Sequence, residues 1–390
     1  MSSTNNADIV ILGAGVIGTS IAFHLACRSP GRIVVLDRDV VAAGGSGRSS
    51  ALIRMHYSFA PEVELALRSL EIFENWEDVV ERPRHFRQVG FVRLVPETEI
   101  GRLEAQVEMQ RGLGSNVQLI SGQELGEIEP DWHVDDVALA AYEPASGYGD
   151  GAVVAGDFLS RAREMGVEYR PHTSALGLRV EGGRVRAVET DDGIIEAPVV
   201  VSAIGPWTRP LLSTVHMDLP IAPEYHQVAV MQNLPGMKSE GCACIDSITR
   251  TYFRSDAGDL TLVGDFYGDR NVDPNNFQDN PPEEDLADLV MSATGRIPAL
   301  ADAGIQRAVT GIYDVSPDSR PILGELPGVS GLYVAAGFSG MGFKISPAIG
   351  MVMSELLLDG AASTVDITIF RPGRFADGEP IEAQHEYEDE

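Results

Sequence analysis

Asp8-Ile-Val-Ile-Leu-Gly13-Ala14-Gly15-Val16-Ile17-Gly18 is the stretch on which the fold turns. Its β-branched, apolar run reads as a buried parallel strand, and the glycines that follow read as a tight turn opening a helix. Gly13 permits the turn, Gly15 lets backbone approach a ligand, and Gly18 lets the helix pack closely on its strand. A helix N-terminus placed this way offers amide donors and the positive end of a dipole, the recipe for holding a pyrophosphate. A glycine triplet alone is weak evidence. Here a second strand, Ile33-Val-Val-Leu36, follows the helix and ends at Asp37, where an acidic side chain can accept hydrogen bonds from a ribose. The reading is a dinucleotide-binding βαβ unit.

The bulk composition narrows the partners. At 390 residues the chain has room for two domains, or for one large domain with an insertion. Twenty-nine basic against 58 acidic residues give a formal charge of −29, which argues against binding a phosphate backbone. The N-terminal residues are polar and carry no basic-then-apolar leader, and no apolar run is long enough to span a bilayer. Cys27, Cys242 and Cys244 are too few for a disulfide framework, and Cys242-x-Cys244 lacks the second pair a metal site needs. A reducing, cytoplasmic setting is the default expectation, with no metal and no nucleic acid.

Further along, Ala42-Ala-Gly-Gly-Ser-Gly-Arg-Ser-Ser50 packs small residues at a density suited to a flat, bulky ligand, and Arg54 follows among apolar neighbours. Helical periodicity is expected over 16–28, 63–76, 97–113, 153–165, 283–292 and 346–358, with a capped helix start at Ser121. Strands are expected near 86–95, 175–180, 185–190 and 194–201, the last ending in Ser202-Ala203-Ile-Gly205-Pro-Trp207. Alternating residues from 221 to about 268 predict an antiparallel sheet. Residues 269–282 read as a surface loop, and the acidic stretch from Asp377 to Glu390 as a disordered tail. Near the other end, a strand at Leu332 runs into Gly337-Phe338-Ser339-Gly340-Met341-Gly342-Phe-Lys344 and then a helix, repeating the opening logic. The organisation expected is discontinuous: one domain from 1–80, 147–220 and 307–375, a second from 81–146 and 221–306 laid over it, and residues 376–390 as the tail.

Together these blocks resemble the D-amino-acid-oxidase-like flavoenzymes, most closely the sarcosine oxidase, dimethylglycine dehydrogenase and glycine oxidase branch. The resemblance rests on the first turn with Asp37, the Gly44-to-Arg54 block, Ala203-x-Gly205-x-Trp207, Pro317-Asp318 and the Gly337-to-Lys344 turn. It implies an α/β fold: an FAD-binding Rossmann-like domain of the glutathione-reductase type, joined to an α+β substrate domain built on an antiparallel sheet. It implies FAD bound with its adenosine end at Gly13, Ala14, Gly15, Val16, Ile17 and Gly18, and at Asp37 and Arg38. Gly45, Ser46, Ser49, Ser50, Ala51, Leu52 and Ala175 belong to the same implied set. So do Ala203, Gly205, Trp207, Gly311 and the turn from Gly337 through Lys344, beside the isoalloxazine. Gly311 stands where some relatives have a flavin-linked cysteine, so non-covalent FAD is expected. Leu262 stands where the oxidases have a lysine that promotes reaction with oxygen, which favours a dehydrogenase with a protein or quinone acceptor. Met341 occupies a position where relatives often have histidine.

The chemistry implied is oxidation of a C–N bond in an amino acid or N-methyl amino acid, giving an imine that hydrolyses. Arg54 and Lys344 match the positions that hold the substrate carboxylate. Tyr252 and Tyr313 match aromatic positions lining the substrate cavity, and His56 and His226 are candidate bases, although a lone histidine is more often structural. Two other classes stay open: an NAD(P)H-dependent flavin monooxygenase, which lacks here a second nicotinamide turn, and a flavin-binding subunit of a larger dehydrogenase.

Overall fold

The computed structural model describes residues 5–266, 268–270, 272–276, 279–383 and 386–387. The first strand, Ile9–Leu12, lies in the middle of a six-stranded sheet, paired in parallel with Ile33–Leu36 on one side and Val199–Ser202 on the other. Glu168–Arg170 adds beyond the second strand. Leu332–Ala336 and the antiparallel edge strand Ile322–Glu325 complete the other side. Because successive side chains alternate, Ile9 and Ile11 enter one apolar cluster while Val10 and Leu12 enter another. Both faces are covered, which is why the strand has no polar face to show in sequence.

One face carries the helices Val16–Arg28, Gly151–Glu164 and Gly342–Asp359; the other carries a three-stranded sheet of Ala175–Glu181, Arg184–Thr190 and Gly193–Glu196. The first helix and the C-terminal one touch at Gly350, where a Cβ would stand 2.1 Å from Ser20 Oγ and 2.6 Å from His24 Nδ1. That contact ties the two ends of the chain together under the sheet. Gly350→Ala is therefore expected to cost about 1–3 kcal/mol by overpacking, read as a lower denaturant midpoint at unchanged slope.

The second sheet has nine strands and is dominated by the antiparallel pair Ala222–Gln232 and Ile305–Val315, whose register sets His226 opposite Gly311 and Glu224 opposite Tyr313. The second of these strands begins before residue 307 and belongs to this sheet, so the expected segment 307–375 is shared between the two sheets rather than given to the first. The strand expected over 86–95 shortens to Phe91–Leu94, and the capped start at Ser121 forms a full capping box with Glu124.

One expectation about a polar segment fails. The acidic tail is packed over its described residues. Ile381 is 7% exposed and Tyr387 3%, and the Ile381 amide donates to Asp318. Asp318 also takes both ends of the buried Arg374 guanidinium, at 2.8 and 2.9 Å, so the Pro317-Asp318 motif anchors the C-terminal segment. Composition predicted disorder, but a tyrosine and an isoleucine suffice to seat the segment. The expected surface loop 269–282 opens with a short strand, Asp269 and Arg270 pairing with Tyr225 and Glu224, and its exposed Asn275 and Asp279 contact Arg38 and Arg48.

Candidate active site

The carboxyl ends of the central strands open onto one cavity of about 730 Å³, large enough for a cofactor. It begins at the first turn. Gly13 adopts φ +98°, and a Cβ there would stand 2.5 Å from the Ala203 carbonyl oxygen, so the strand ends at 12 and 202 can close up only around glycine. A Cβ on Gly18 would stand 2.0 Å from the Gly13 oxygen, and one on Gly15 2.9 Å from Ser46 Oγ. The Ser46 hydroxyl accepts the Val16 amide at 3.0 Å, at the N-terminus of a helix that Gly15 leaves without a side-chain cap. Backbone donors and the dipole end thus face the cavity.

Asp37 lines the cavity and has a task of its own. Its Oδ2 accepts the Ala14 amide at 2.7 Å and its Oδ1 the Asp39 amide at 2.9 Å, which fixes the glycine turn beside the place a ribose would take. Asp37→Ala removes both, and FAD affinity is expected to fall about 10- to 100-fold, measured by titrating apoprotein with FAD. Arg38 lies with its guanidinium 4.0 Å over the Trp207 ring, and both line the cavity with Gly205, Ala203 and Ala175.

At the far end the walls are Ile312, Tyr313, Asp314, Phe338, Gly340, Gly342 and Phe343. Gly340 has φ +85°, and a Cβ there would stand 2.6 Å from the Tyr313 ring. Asp314 lines this end; burial raises its carboxyl to about 6, against backbone amides including that of Gly337 at 2.6 Å. Asp314, Arg48, Thr173, Asn275 and Asp279 all line the cavity without having been singled out from sequence. Asp314 alone had a usable signal, its place beside Tyr313 in an already noted block.

Gly13, Gly15, Val16, Ile17, Gly45, Ser46, Ser49 and Phe338 also reach the cavity. Ala14, Gly18, Ser50, Ala51, Leu52, Gly311, Gly337, Ser339, Met341 and Lys344 do not line it and act, where they act, through the backbone turns they complete. A Cβ on Gly311 would meet nothing closer than 3.7 Å, so space exists for a side chain where the chain offers no thiol. Leu262 is 5% exposed inside an apolar cluster with Leu52, Phe91 and Tyr252, and brings no charge.

Behind the far wall lie the candidate substrate groups. Arg54 Nη1 donates to the His56 carbonyl, its guanidinium lies 4.3 Å over the Tyr57 ring, and its Nε finds no hydrogen bond. Lys344, 8% exposed, donates to the Gly340 carbonyl at 3.2 Å. Burial and then the nearby Arg54 charge hold the Lys344 ammonium well below its usual value, against an opposing pull from Glu62. Among the described residues neither cation makes an ion pair with a carboxylate. A guanidinium beside an amine that can charge, neither of them ion-paired, forms a site that favours an incoming anion.

Tyr252 and Tyr313 hydrogen-bond to each other, and burial raises both hydroxyls, that of Tyr313 to about 12. Gly264 gives the Tyr252 ring its space, since a Cβ there would stand 2.1 Å from Cζ. The His226 ring stacks on Tyr313 with centroids 4.0 Å apart. Its Nε2 meets Glu224 Oε1 at 3.2 Å, while Asp265 Oδ1 lies 3.4 Å from Nδ1, out of line for a hydrogen bond. Burial opposes the imidazolium, but Asp265 and Glu224 together outweigh it and raise its pKa. His56 is placed elsewhere. Burial first, then Arg93 and Arg54, hold it neutral, and its Nε2 pairs with the Tyr387 hydroxyl at 2.9 Å, away from the cavity. His56 does not line the cavity.

Comparison with known proteins agrees with this geometry. The chain is 27% identical to 4-methylaminobutanoate oxidase (formaldehyde-forming) of Paenarthrobacter nicotinovorans over 93% of its own length and 45% of that protein's. It is 24% identical to the mitochondrial dimethylglycine dehydrogenase of Rattus norvegicus, covering 95% of this chain and 45% of that one. The chain thus spans about half the length of these curated relatives. Among solved structures, L-proline dehydrogenase from P. horikoshii superposes with a TM-score of 0.89 at 27% identity, covering 97% of this chain and 100% of that one. The glycine turns, the Asp37 carboxylate and a cavity running between them suit FAD, and that is the cofactor of the family. Residues 8–356 match the family model described as DAO, FAD dependent oxidoreductase, and the chain belongs to that family.

Proposed function

We propose that this protein oxidises the C–N bond of a secondary or tertiary amine that carries a carboxylate, an N-methyl or cyclic amino acid, and passes the electrons to an acceptor other than oxygen. The observation that carries the reading is the half-buried Arg54 beside the buried Lys344, neither of them ion-paired to a carboxylate among the described residues. FAD, when bound, supplies the hydride acceptor. Arg54, with its fork of donors, would hold the substrate carboxylate in two places, and Lys344 would charge as the carboxylate arrives. Tyr313, on the cavity wall, would limit how the amine end sits. His226 has Nε2 engaged by Glu224, so Nδ1 is the nitrogen left to take a proton from the substrate ammonium. The amine must be neutral before its hydride can leave, and the imine formed is then hydrolysed by water.

The names of the relatives support this substrate class, since methylaminobutanoate, dimethylglycine and proline are all amines bearing a carboxylate. Leu262 supports a dehydrogenase, because an uncharged side chain stands where the oxidases carry the lysine that promotes reaction with oxygen. Turnover of N-methyl and cyclic amino acids, compared in air and with an artificial dye acceptor, tests the proposal. Dye-dependent turnover well above the aerobic rate is expected; equal or faster turnover with oxygen alone would make the protein an oxidase.

A further inference from the structure

Each glycine-rich turn on the cofactor cavity is held by an aspartate. Asp37 holds the first through the Ala14 amide. At the second, Asp314 Oδ2 accepts the Gly337 amide at 2.6 Å, and the Asp314 carbonyl accepts the Ser339 amide at 3.0 Å. Ser339 has φ +49°, left-handed backbone that a serine rarely adopts without such support. These bonds also cross between the sheets. Asp314 belongs to the strand Ile305–Val315 of the nine-stranded sheet, and Gly337 follows Leu332–Ala336 of the six-stranded one.

The Asp314 carboxyl is half-buried and lines the cavity beside Gly205, so the space a cofactor fills is the space that hydrates it. Among the described residues it makes no ion pair. The charged groups on the elements around it are engaged elsewhere. The strand Ala222–Gln232 sets Pro223 opposite it, and the next residue, Glu224, engages His226. Arg48, at the end of the turn Gly45–Arg48, bonds to Asp279 and to the Thr310 carbonyl. Arg38 stacks on Trp207, and Lys344 donates to the Gly340 carbonyl. Tyr313, its neighbour in the strand, hydrogen-bonds to Tyr252. Burial already lifts the Asp314 carboxyl to about 6, against backbone amides that favour the charged form.

FAD brings an anionic diphosphate into this cavity and displaces its water. Both changes disfavour a carboxylate that has no cation partner. We propose that Asp314 is a cofactor ligand in its neutral form: it takes up one proton from solvent as FAD binds, keeps Oδ2 on the Gly337 amide, and offers the new O–H to an acceptor on the cofactor. Ionised when the cavity is empty and neutral when it is filled, the group makes FAD binding consume a proton. Affinity for FAD therefore falls as pH rises above about 6. The inference rests on FAD binding alone and stands apart from the substrate reading.

The test is calorimetric titration of the apoprotein with FAD at pH 7 in two buffers of different ionisation enthalpy, which reads net proton uptake. The parent, Asp314→Asn and Asp314→Ala are compared. The parent is expected to take up about one proton more than Asp314→Asn. Between pH 7 and 8 the parent's Kd for FAD is expected to rise about ten-fold. In Asp314→Asn it should stay flat, because the amide keeps an acceptor for Gly337 and carries a permanent donor. Asp314→Ala loses both, and FAD should bind it about ten-fold more weakly than Asp314→Asn at either pH. A merely structural carboxylate would change affinity and leave the proton count alone. Equal proton uptake in the parent and Asp314→Asn would thus overturn the proposal, and so would parallel pH slopes. If Asp314→Asn does not fold, the parent decides: no proton uptake at pH 7, or an affinity independent of pH, overturns it.

Discussion

Replacing His226 by alanine is expected to lower kcat/KM by about 10²–10⁴-fold, the span of a positioned general base. The ring sits 4.0 Å from Tyr313, which lines the cofactor cavity, and Glu224 engages one nitrogen. A structural histidine would cost stability and leave the pH profile alone. A base with a raised pKa predicts a specific profile instead. His226 stays protonated, and inactive as a base, until pH passes above the ordinary histidine range, so kcat/KM should rise with pH through that raised value. Asp265 and Glu224 are the groups that raise it. Asp265→Asn is thus expected to move the rising limb to lower pH while activity at high pH persists. A limb that does not move with either carboxylate would assign the titration to the substrate amine alone.

Arg54→Met is expected to raise KM for a carboxylate-bearing substrate by about 10²-fold, within the 2–5 kcal/mol attached to truncating one partner of a buried charge pair. A smaller effect on kcat at saturation separates a clamp from a group acting in the chemical step. The same variant should change little for an amine lacking the carboxylate. Lys344 adds a pH signature. Burial and then Arg54 hold its pKa well below the usual lysine range, so above that pKa it takes up a proton when a carboxylate arrives, and a carboxylate inhibitor should bind with proton uptake and more weakly as pH rises. In Arg54→Met the repulsion is gone, Lys344 is easier to charge, and the weakening should begin at higher pH.

What was legible in the sequence follows from what constrains the backbone. Gly13, Gly18 and Gly340 stand where a Cβ would strike a carbonyl oxygen or a ring, and such positions write themselves into a sequence as glycine. Asp37 was legible by its place at a strand end, although the structure gives it a further part in ordering the Ala14 amide. Arg54 and Lys344 came from the family resemblance, and only packing revealed that they lie near one another with neither ion-paired to a carboxylate among the described residues. Asn275 and Asp279 had no signal, because a polar loop reads alike whether it faces solvent or reaches across to another domain. His56 lies beyond the strand Leu52–Ile53, and its ring pairs with the Tyr387 hydroxyl, a contact between the two ends of the chain that no local pattern shows. The tail misled because net charge predicts solvation, whereas two buried side chains and the Asp318 carboxylate decide where it rests.

The most direct test is anaerobic mixing of the FAD-loaded protein with a panel of N-methyl, cyclic and primary amino acids, their carboxyl-free amines, and NADPH, while the oxidised-flavin absorbance is followed. The account predicts rapid bleaching by at least one secondary or tertiary amino acid, far slower bleaching by its carboxyl-free counterpart, and none by NADPH. Bleaching by NADPH, or by none of the amines, would contradict it.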